Sequence, residues 1–259
     1  MLQDLLAVVS GSLVGFVLGL IGGGGSILAV PLLVYVVGVP SPHVAIGTGA
    51  VAVGLSALAS LVSHIRIGNV RWPCARVFAA SGVLGASVGS TLGKNFDGQR
   101  LLTLFGVLMI VVAGMMLRRR PDAGQSFVPL TGATARKLVP RLMAYGLGTG
   151  MLSGFFGIGG GFLVVPGLIT AAEMPLIAAV GSSLVAVTTY GLTTAANYAL
   201  SGLVDWRLVA LFVIGGVIGS LFGGRLATRL APQKQTLSRV FAAIVASVGV
   251  YVVWRGVLT

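Results

Sequence analysis

Acidic side chains are nearly missing from this chain. Asp and Glu number 5 in 259 residues, against 17 Lys and Arg. Glu173 is the single glutamate, and no acid falls inside a long apolar run. That excludes an intramembrane carboxylate pair and a His-Glu-x-x-His metalloprotease. His43 and His64 are the only histidines, too few for a dedicated histidine metal site. One cysteine, Cys74, allows neither an intramolecular disulfide nor a cysteine metal cluster. No Gly-x-Ser-Gly string occurs and His64 has no serine partner, so a serine hydrolase lacks its parts. The chain is therefore read as no enzyme, and no cofactor or metal is expected. No Lys or Arg precedes the first apolar run, and Asp4 does, so no secretory signal peptide is expected.

What is present is apolar. Hydrophobic residues make up 56% of the chain and charged ones 8%, with a mean hydropathy of +1.03. That composition specifies an all-α integral membrane protein rather than a soluble domain. The net charge of +12 does not indicate nucleic acid. The basic residues lie in short stretches between apolar runs, where the positive-inside rule puts them. Arg118-Arg119-Arg120 reads as a topology signal with room for anionic-lipid contact.

Glycine is abundant, 40 residues, and two clusters organise the chain. Gly19-Leu-Ile-Gly22-Gly-Gly24-Gly25-Ser26 and Gly154-Phe-Phe-Gly157-Ile-Gly159-Gly160-Gly161 each interrupt a long uncharged run. At an offset of 135, Gly19, Gly22, Gly24, Gly25 and Pro31 fall on Gly154, Gly157, Gly159, Gly160 and Pro166. Each helical glycine costs about 1 kcal/mol relative to alanine, so four in five positions should break a helix. In a bilayer such a break is tolerated only where protein or a cavity receives the freed backbone groups. The competing explanation, close helix packing by small residues, is weakened by the clusters' matched places in two halves.

Further along, the offset becomes 134. Ala45-Ile-Gly47-Thr48-Gly49 matches Ala179-Val-Gly181-Ser182-Ser183. Gly68-Asn-Val-Arg71-Trp72 matches Gly202-Leu-Val-Asp205-Trp206, and Gly82, Gly85 and Gly89 match Gly216, Gly219 and Gly223. The chain is a duplication: residues 1–117 and 138–259 form two transmembrane repeats, and 118–137 a basic cytoplasmic linker. Each repeat is expected to hold a glycine-broken, re-entrant or discontinuous helix and about three spans. In the first repeat the spans cover about 44–63, 75–92 and 101–117. The Gly82, Gly85, Gly89 row reads as a packing face. Trp72 and Trp206 read as interfacial anchors.

The basic excess changes place between the halves. The loop 64–76 carries Arg66, Arg71 and Arg76, whereas its counterpart has Asp205 and Arg207. The loop 94–100 carries Lys94, Asp97 and Arg100, whereas its counterpart, 225–239, carries Arg225, Arg229, Lys234 and Arg239. Under the positive-inside rule the halves face opposite ways, as inverted repeats. Stretches 64–76, 118–137 and 225–239 then lie in the cytoplasm and both termini outside. The alternative, eight plain spans in parallel orientation, strands the basic residues of 225–239 outside.

The duplicated glycine break, its proline and the Ala-x-Gly-[ST] segment resemble the sulfite exporter family TauE/SafE, over nearly the whole chain. The resemblance implies a multi-pass carrier in the cytoplasmic membrane, moving sulfite or organosulfonates such as sulfoacetate by alternating access. It fixes neither the anion nor the direction, and a carrier or channel for another small anion or a metal ion stays open. The partners expected are a small anion and the lipid bilayer, with no nucleic acid. A homodimer is compatible with the sequence, which fixes no oligomeric state.

A sulfur oxyanion in a bilayer must exchange its hydration shell for donors. Helix N-termini after the breaks supply backbone N–H groups and a favourable dipole, and glycine lets the ligand approach. The candidate site residues are therefore Gly24, Gly25, Ser26, Gly159, Gly160 and Gly161. Thr48, Gly49, Ser182 and Ser183 join them as the hydroxyl-bearing segments, and Asn197 as a buried amide. For the hydroxyls the plain alternative is a bond to their own helix. His64, the residue near a span that titrates around neutrality, is the candidate for proton coupling. No arginine lies deep in a span, so Arg66, Arg71, Arg76, Arg207 and Arg225 read as snorkelling residues at span ends.

Overall fold

The computed structural model describes residues 1–21, 23–118, 132–229 and 234–258, and all regular structure among them is helical. α1 spans Leu2–Ile21. After the first break the chain continues as α2, a composite of a 3-10 stretch Gly23–Leu28, one α turn Ala29–Pro31 and a π turn Leu32–Val36. α3 (Pro42–Arg66), α4 (Trp72–Lys94) and α5 (Gly98–Arg118) complete the first repeat. The second repeat is α6 (Gly132–Phe156), α7 (Gly161–Ala172), α8 (Leu176–Ala199), α9 (Trp206–Arg229) and α10 (Lys234–Leu258).

Local chemistry sets these limits. Ser41 caps α3 through Val44 N–H, with Pro42 preorganised in the first turn. α3 and α8 stop at matching left-handed glycines, Gly68 and Gly202, at φ +75° and +69°. The next residue folds back each time: Asn69 N–H donates to His64 carbonyl at 3.2 Å, and Leu203 N–H to Tyr198 carbonyl at 3.0 Å.

Six of these helices, α1, α3, α5, α8, α9 and α10, are long and apolar enough to cross a membrane. α4 and α6 have the length without the hydropathy; glycines, Gly82, Gly85, Gly89 and Gly93 on one and Gly146, Gly150 and Gly154 on the other, fill the faces they turn to each other. Two boundaries differ from the sequence expectation. α6 begins at Gly132, inside the expected linker, because Ala133, Ala135, Arg136 and Lys137 favour helix. Residues 119–131 of that linker, Arg119 and Arg120 included, lie outside the described residues, as does Gly22. The expected loop 225–239 is instead largely the end of α9 and the start of α10.

The repeats interlock. α1 packs on α9, and α6 on α4. In the first seam Gly11, Gly15 and Gly19 abut the backbone of Phe212, Gly216 and Ser220. In the second, Gly146, Gly150 and Gly154 abut Phe78, Gly82 and Ala86. These are the same contacts shifted by the repeat offset. A methyl at any of these six glycines would enter the partner helix's carbonyls, so the backbones touch directly. Residue numbers rise together across each seam, so both pairs are parallel.

The counterpart helices run the other way. α3 meets α8 antiparallel, Gly47 against Tyr198 and Gly54 against Gly191. α5 meets α10 antiparallel, Gly106 against Gly249 and Thr103 against Gly256. One end of the bundle therefore collects the close of α3 and α9 with the start of α4, α6, α8 and α10. Arg66, Arg71, Arg76, Arg136, Lys137, Arg141, Arg225 and Arg239 lie toward that end. Asp4, Asp97 and Asp205, with Lys94, Arg100, Arg207 and Arg255, lie toward the other, where Arg207 pairs with Asp4 at 3.0 Å. The largest buried cluster threads α1, α2, α3 and α5 through Leu18, Ile27, Leu33 and Phe105, and reaches Phe156 and Ile158 of the second break.

Candidate functional site

The second break is a left-handed turn. Gly157, Gly159 and Gly160 hold φ of +67°, +63° and +67°, a conformation costly for residues with a Cβ. Space forbids side chains as well. A Cβ at Gly157 would collide with Ile46 of α3. At Gly159 it would stand 2.9 Å from Val53 Cγ1, and at Gly160 2.7 Å from Ser153 Cβ. The turn lies in the groove between α3 and α8. α7 then starts at once: Leu163 and Val164 N–H both reach the Gly160 carbonyl at 2.9 Å. Gly160 is the N-cap and brings no side-chain cap.

The first break is built differently. Gly24 and Gly25 stay in the right-handed 3-10 stretch. A Cβ at Gly25 would lie 2.5 Å from Leu18 N and 2.7 Å from Val14 O, so this segment folds back onto α1. Ser26 is fully buried. The 3-10 stretch, with Gly24, Gly25 and Ser26, packs against α7, which Gly161 opens, and touches α8, so the segments that follow the two breaks meet inside the bundle.

The other candidates fall elsewhere. The Thr48 hydroxyl accepts Asp205 N–H at 3.0 Å, ahead of α9. The Ser182 hydroxyl accepts Arg71 N–H at 2.9 Å, ahead of α4. These bonds are repeat counterparts, each tying one half to the other. Because α4 and α9 run oppositely, Thr48 and Ser182 stand toward opposite ends of the bundle. Ser183 donates to Val180 carbonyl at 2.7 Å, in its own helix. Gly49 faces α2, with ordinary van der Waals room toward Leu33 and Val30.

Asn197 is engaged in a network. Its amide nitrogen donates to Ser90 Oγ at 2.6 Å and Thr91 Oγ1 at 3.0 Å. Lys94 Nζ donates to its side-chain oxygen at 2.6 Å, its carbonyl at 3.1 Å and Ser201 Oγ at 2.8 Å. The sequence presents Lys94 as a loop charge; in the fold it sits at the C-terminal end of α8, a cation on the Asn197 carbonyl. His64 is half-buried in the last turn of α3, beside Arg66.

One residue was not singled out from sequence. Ser153, on α6 one turn before the break, is fully buried and its hydroxyl has no partner. A groove of about 700 Å³ lies on the outer face of α4 and α6, lined by Leu92, Tyr145, Met151, Leu152 and Phe155 among others. Its lining is nearly all apolar.

Comparison with known proteins points to one membrane-protein family. The model of the sulfite exporter TauE/SafE family matches residues 7–252. The chain belongs to that family. It is 52% identical to a probable membrane transporter protein of Xylella fastidiosa strain 9a5c, over 98% of this chain and 97% of that one. It is 27% identical to the probable membrane transporter YunE of Bacillus subtilis strain 168, with 98% of each chain covered. Against the probable membrane transporter MJ0441 of Methanocaldococcus jannaschii the identity is 30%, over 66% of this chain and 64% of that one. No solved structure matches. The chain is thus a multi-pass membrane transporter of the TauE/SafE family.

Proposed function

We propose that this TauE/SafE protein is a secondary transporter of small sulfur oxyanions, sulfite or an organosulfonate, working by alternating access in the cytoplasmic membrane. The observation that carries the reading is the packing of the first break's 3-10 stretch against α7, which follows the second break, between counterpart helices that run antiparallel. That arrangement supports inverted repeats with the substrate at their interface. The crowding of basic residues at one end supports a cytoplasmic position for that end. The first turn of α1 and the last turn of α10 then lie outside.

The chemistry suits a compact anion. The N-terminus of α7 carries the positive end of a helix dipole and N–H groups ahead of the first helical bond. A site of backbone donors without a buried full charge binds loosely and releases readily, as turnover requires. The family name supports the sulfur oxyanion, and the rarity of buried acids in the sequence disfavours a cation route.

The test is flux into proteoliposomes of purified protein for sulfite, sulfoacetate, taurine and sulfate, with and without a pH gradient. Saturable flux of one sulfur oxyanion is expected, lost in Gly160→Ala, where strain and the Ser153 contact coincide. Flux of a different solute alone overturns the substrate reading. Oxyanion flux unchanged in Gly160→Ala moves the site away from the breaks.

A further inference from the structure

We infer that the anion site is one-sided: Ser153 is its side-chain donor and the N-terminus of α7 its backbone donor, with no equivalent at the first break. This rests on the oxyanion reading above and names the residue that recognises the anion.

Many hydroxyls of the bundle are occupied by their own helix. Thr149, one turn before Ser153 on the same helix, donates to Tyr145 carbonyl at 2.7 Å. Ser12, Ser60, Thr189 and Ser247 likewise donate to the carbonyl four residues back. This is the ordinary resting state of a hydroxyl in an apolar helix. Ser153, with 0% exposure, has no partner; Tyr35, Thr188, Thr194 and Tyr198 also carry unpartnered buried hydroxyls, and Ser153 is the one of these set against Gly160. A buried polar group without a partner is rare and calls for a ligand or water.

Its place says which ligand. Gly160 is the N-cap of a 12-residue helix, and a Cβ built there would lie 2.9 Å from Ser153 Oγ. The free hydroxyl therefore lies directly beside the residue that caps the N-terminus of α7. Both offer hydrogens and no negative charge, which is the donor set for a sulfite or sulfonate oxygen.

The first break cannot copy this. At the repeat offset Ser153 corresponds to Leu18, a fully buried apolar side chain. Around Gly25 the corresponding space is filled by α1 backbone. The pseudo-symmetric partner is thus a packing surface against which the binding half works.

The experiment compares wild type, Ser153→Ala and, as control, Ser60→Ala, whose hydroxyl is bonded within α3. Initial rates of sulfite and sulfoacetate entry into proteoliposomes are measured over concentration, beside thermal unfolding of each protein. Ser153→Ala is expected to raise the half-saturation concentration about tenfold or more, the size of a lost bond to a charged ligand. Its unfolding midpoint is expected at or above wild type, since no protein bond is removed, and Ser60→Ala should transport with wild-type half-saturation. An unchanged half-saturation in Ser153→Ala overturns the inference and leaves the oxyanion reading standing. A raised value together with a lowered unfolding midpoint assigns Ser153 a structural role and also overturns it. Absence of oxyanion flux in wild type overturns both.

Discussion

The two glycine breaks share a motif and differ in backbone. Gly157, Gly159 and Gly160 turn left-handed and release a regular α-helix, in which Pro166 sits without disturbance. Gly24 and Gly25 stay right-handed in a 3-10 stretch, and α2 ends as a π turn after Pro31, where Val37 N–H reaches Leu32 carbonyl at 2.9 Å. Ile158 accounts for part of the contrast: fully buried, it anchors the second turn in the core, whereas Gly23 at its place in the first break provides no anchor. Matching motifs have yielded one left-handed turn that opens a regular helix and one right-handed stretch packed back onto α1, within a scaffold whose other contacts repeat closely.

Substitutions at paired positions can break that comparison. The largest effect is expected at the seams. Gly15→Leu and Gly150→Leu each push a side chain into the facing backbone of Gly216 or Gly82, costing at least about 3 kcal/mol. Both should abolish recovery of monodisperse protein by gel filtration. If one is tolerated, the seams are unequal as well as the breaks.

A middle-sized effect is expected for the two tethers. Thr48→Val and Ser182→Ala each strand a backbone N–H, of Asp205 and Arg71 respectively, at about 1–2 kcal/mol. Similar falls in unfolding midpoint, additive in the double variant because the sites lie apart, are the expected result. A loss of transport without loss of stability in either one would return that hydroxyl to the substrate path.

The smallest effect belongs to the turns after α2 and α7. Gly38 and Glu173 occupy matching left-handed positions, φ +79° and +49°. Gly38→Ala should destabilise by about 1 kcal/mol, and Glu173→Gly should stabilise by a few tenths up to about 1 kcal/mol. Paired thermal unfolding curves check both, and a destabilised Glu173→Gly would give that carboxylate a role beyond the turn.

Much of the fold was legible. The 135 and 134 offsets located both breaks, the matching turns at Gly68 and Gly202, and the packing row Gly82, Gly85, Gly89. A second row escaped: Gly11, Gly15 and Gly19, with Gly146, Gly150 and Gly154, recur every four residues and mark the partner faces of the seams. The site was half legible. Glycine breaks announce an interrupted helix because backbone entropy and the missing Cβ are properties of the residue itself. The standing of Thr48, Ser182, Ser183 and Asn197 could not be read, since a hydroxyl or amide in an apolar run has the same sequence whether a ligand or the protein satisfies it.

Composition and periodicity determined by themselves that this chain enters a membrane, that its two halves carry matching motifs, and where each half is interrupted. Those follow from solvent transfer and local backbone preference, which depend on residue type and spacing. Only the tertiary structure decided that α1 embraces α9 while α6 embraces α4, that Thr48 and Ser182 fasten the halves together, and that Ser153 is left without a partner at the N-terminus of α7. These are properties of which surfaces meet. They depend on close approach between residues far apart in the chain, and no local pattern encodes which hydroxyl that approach leaves unsatisfied.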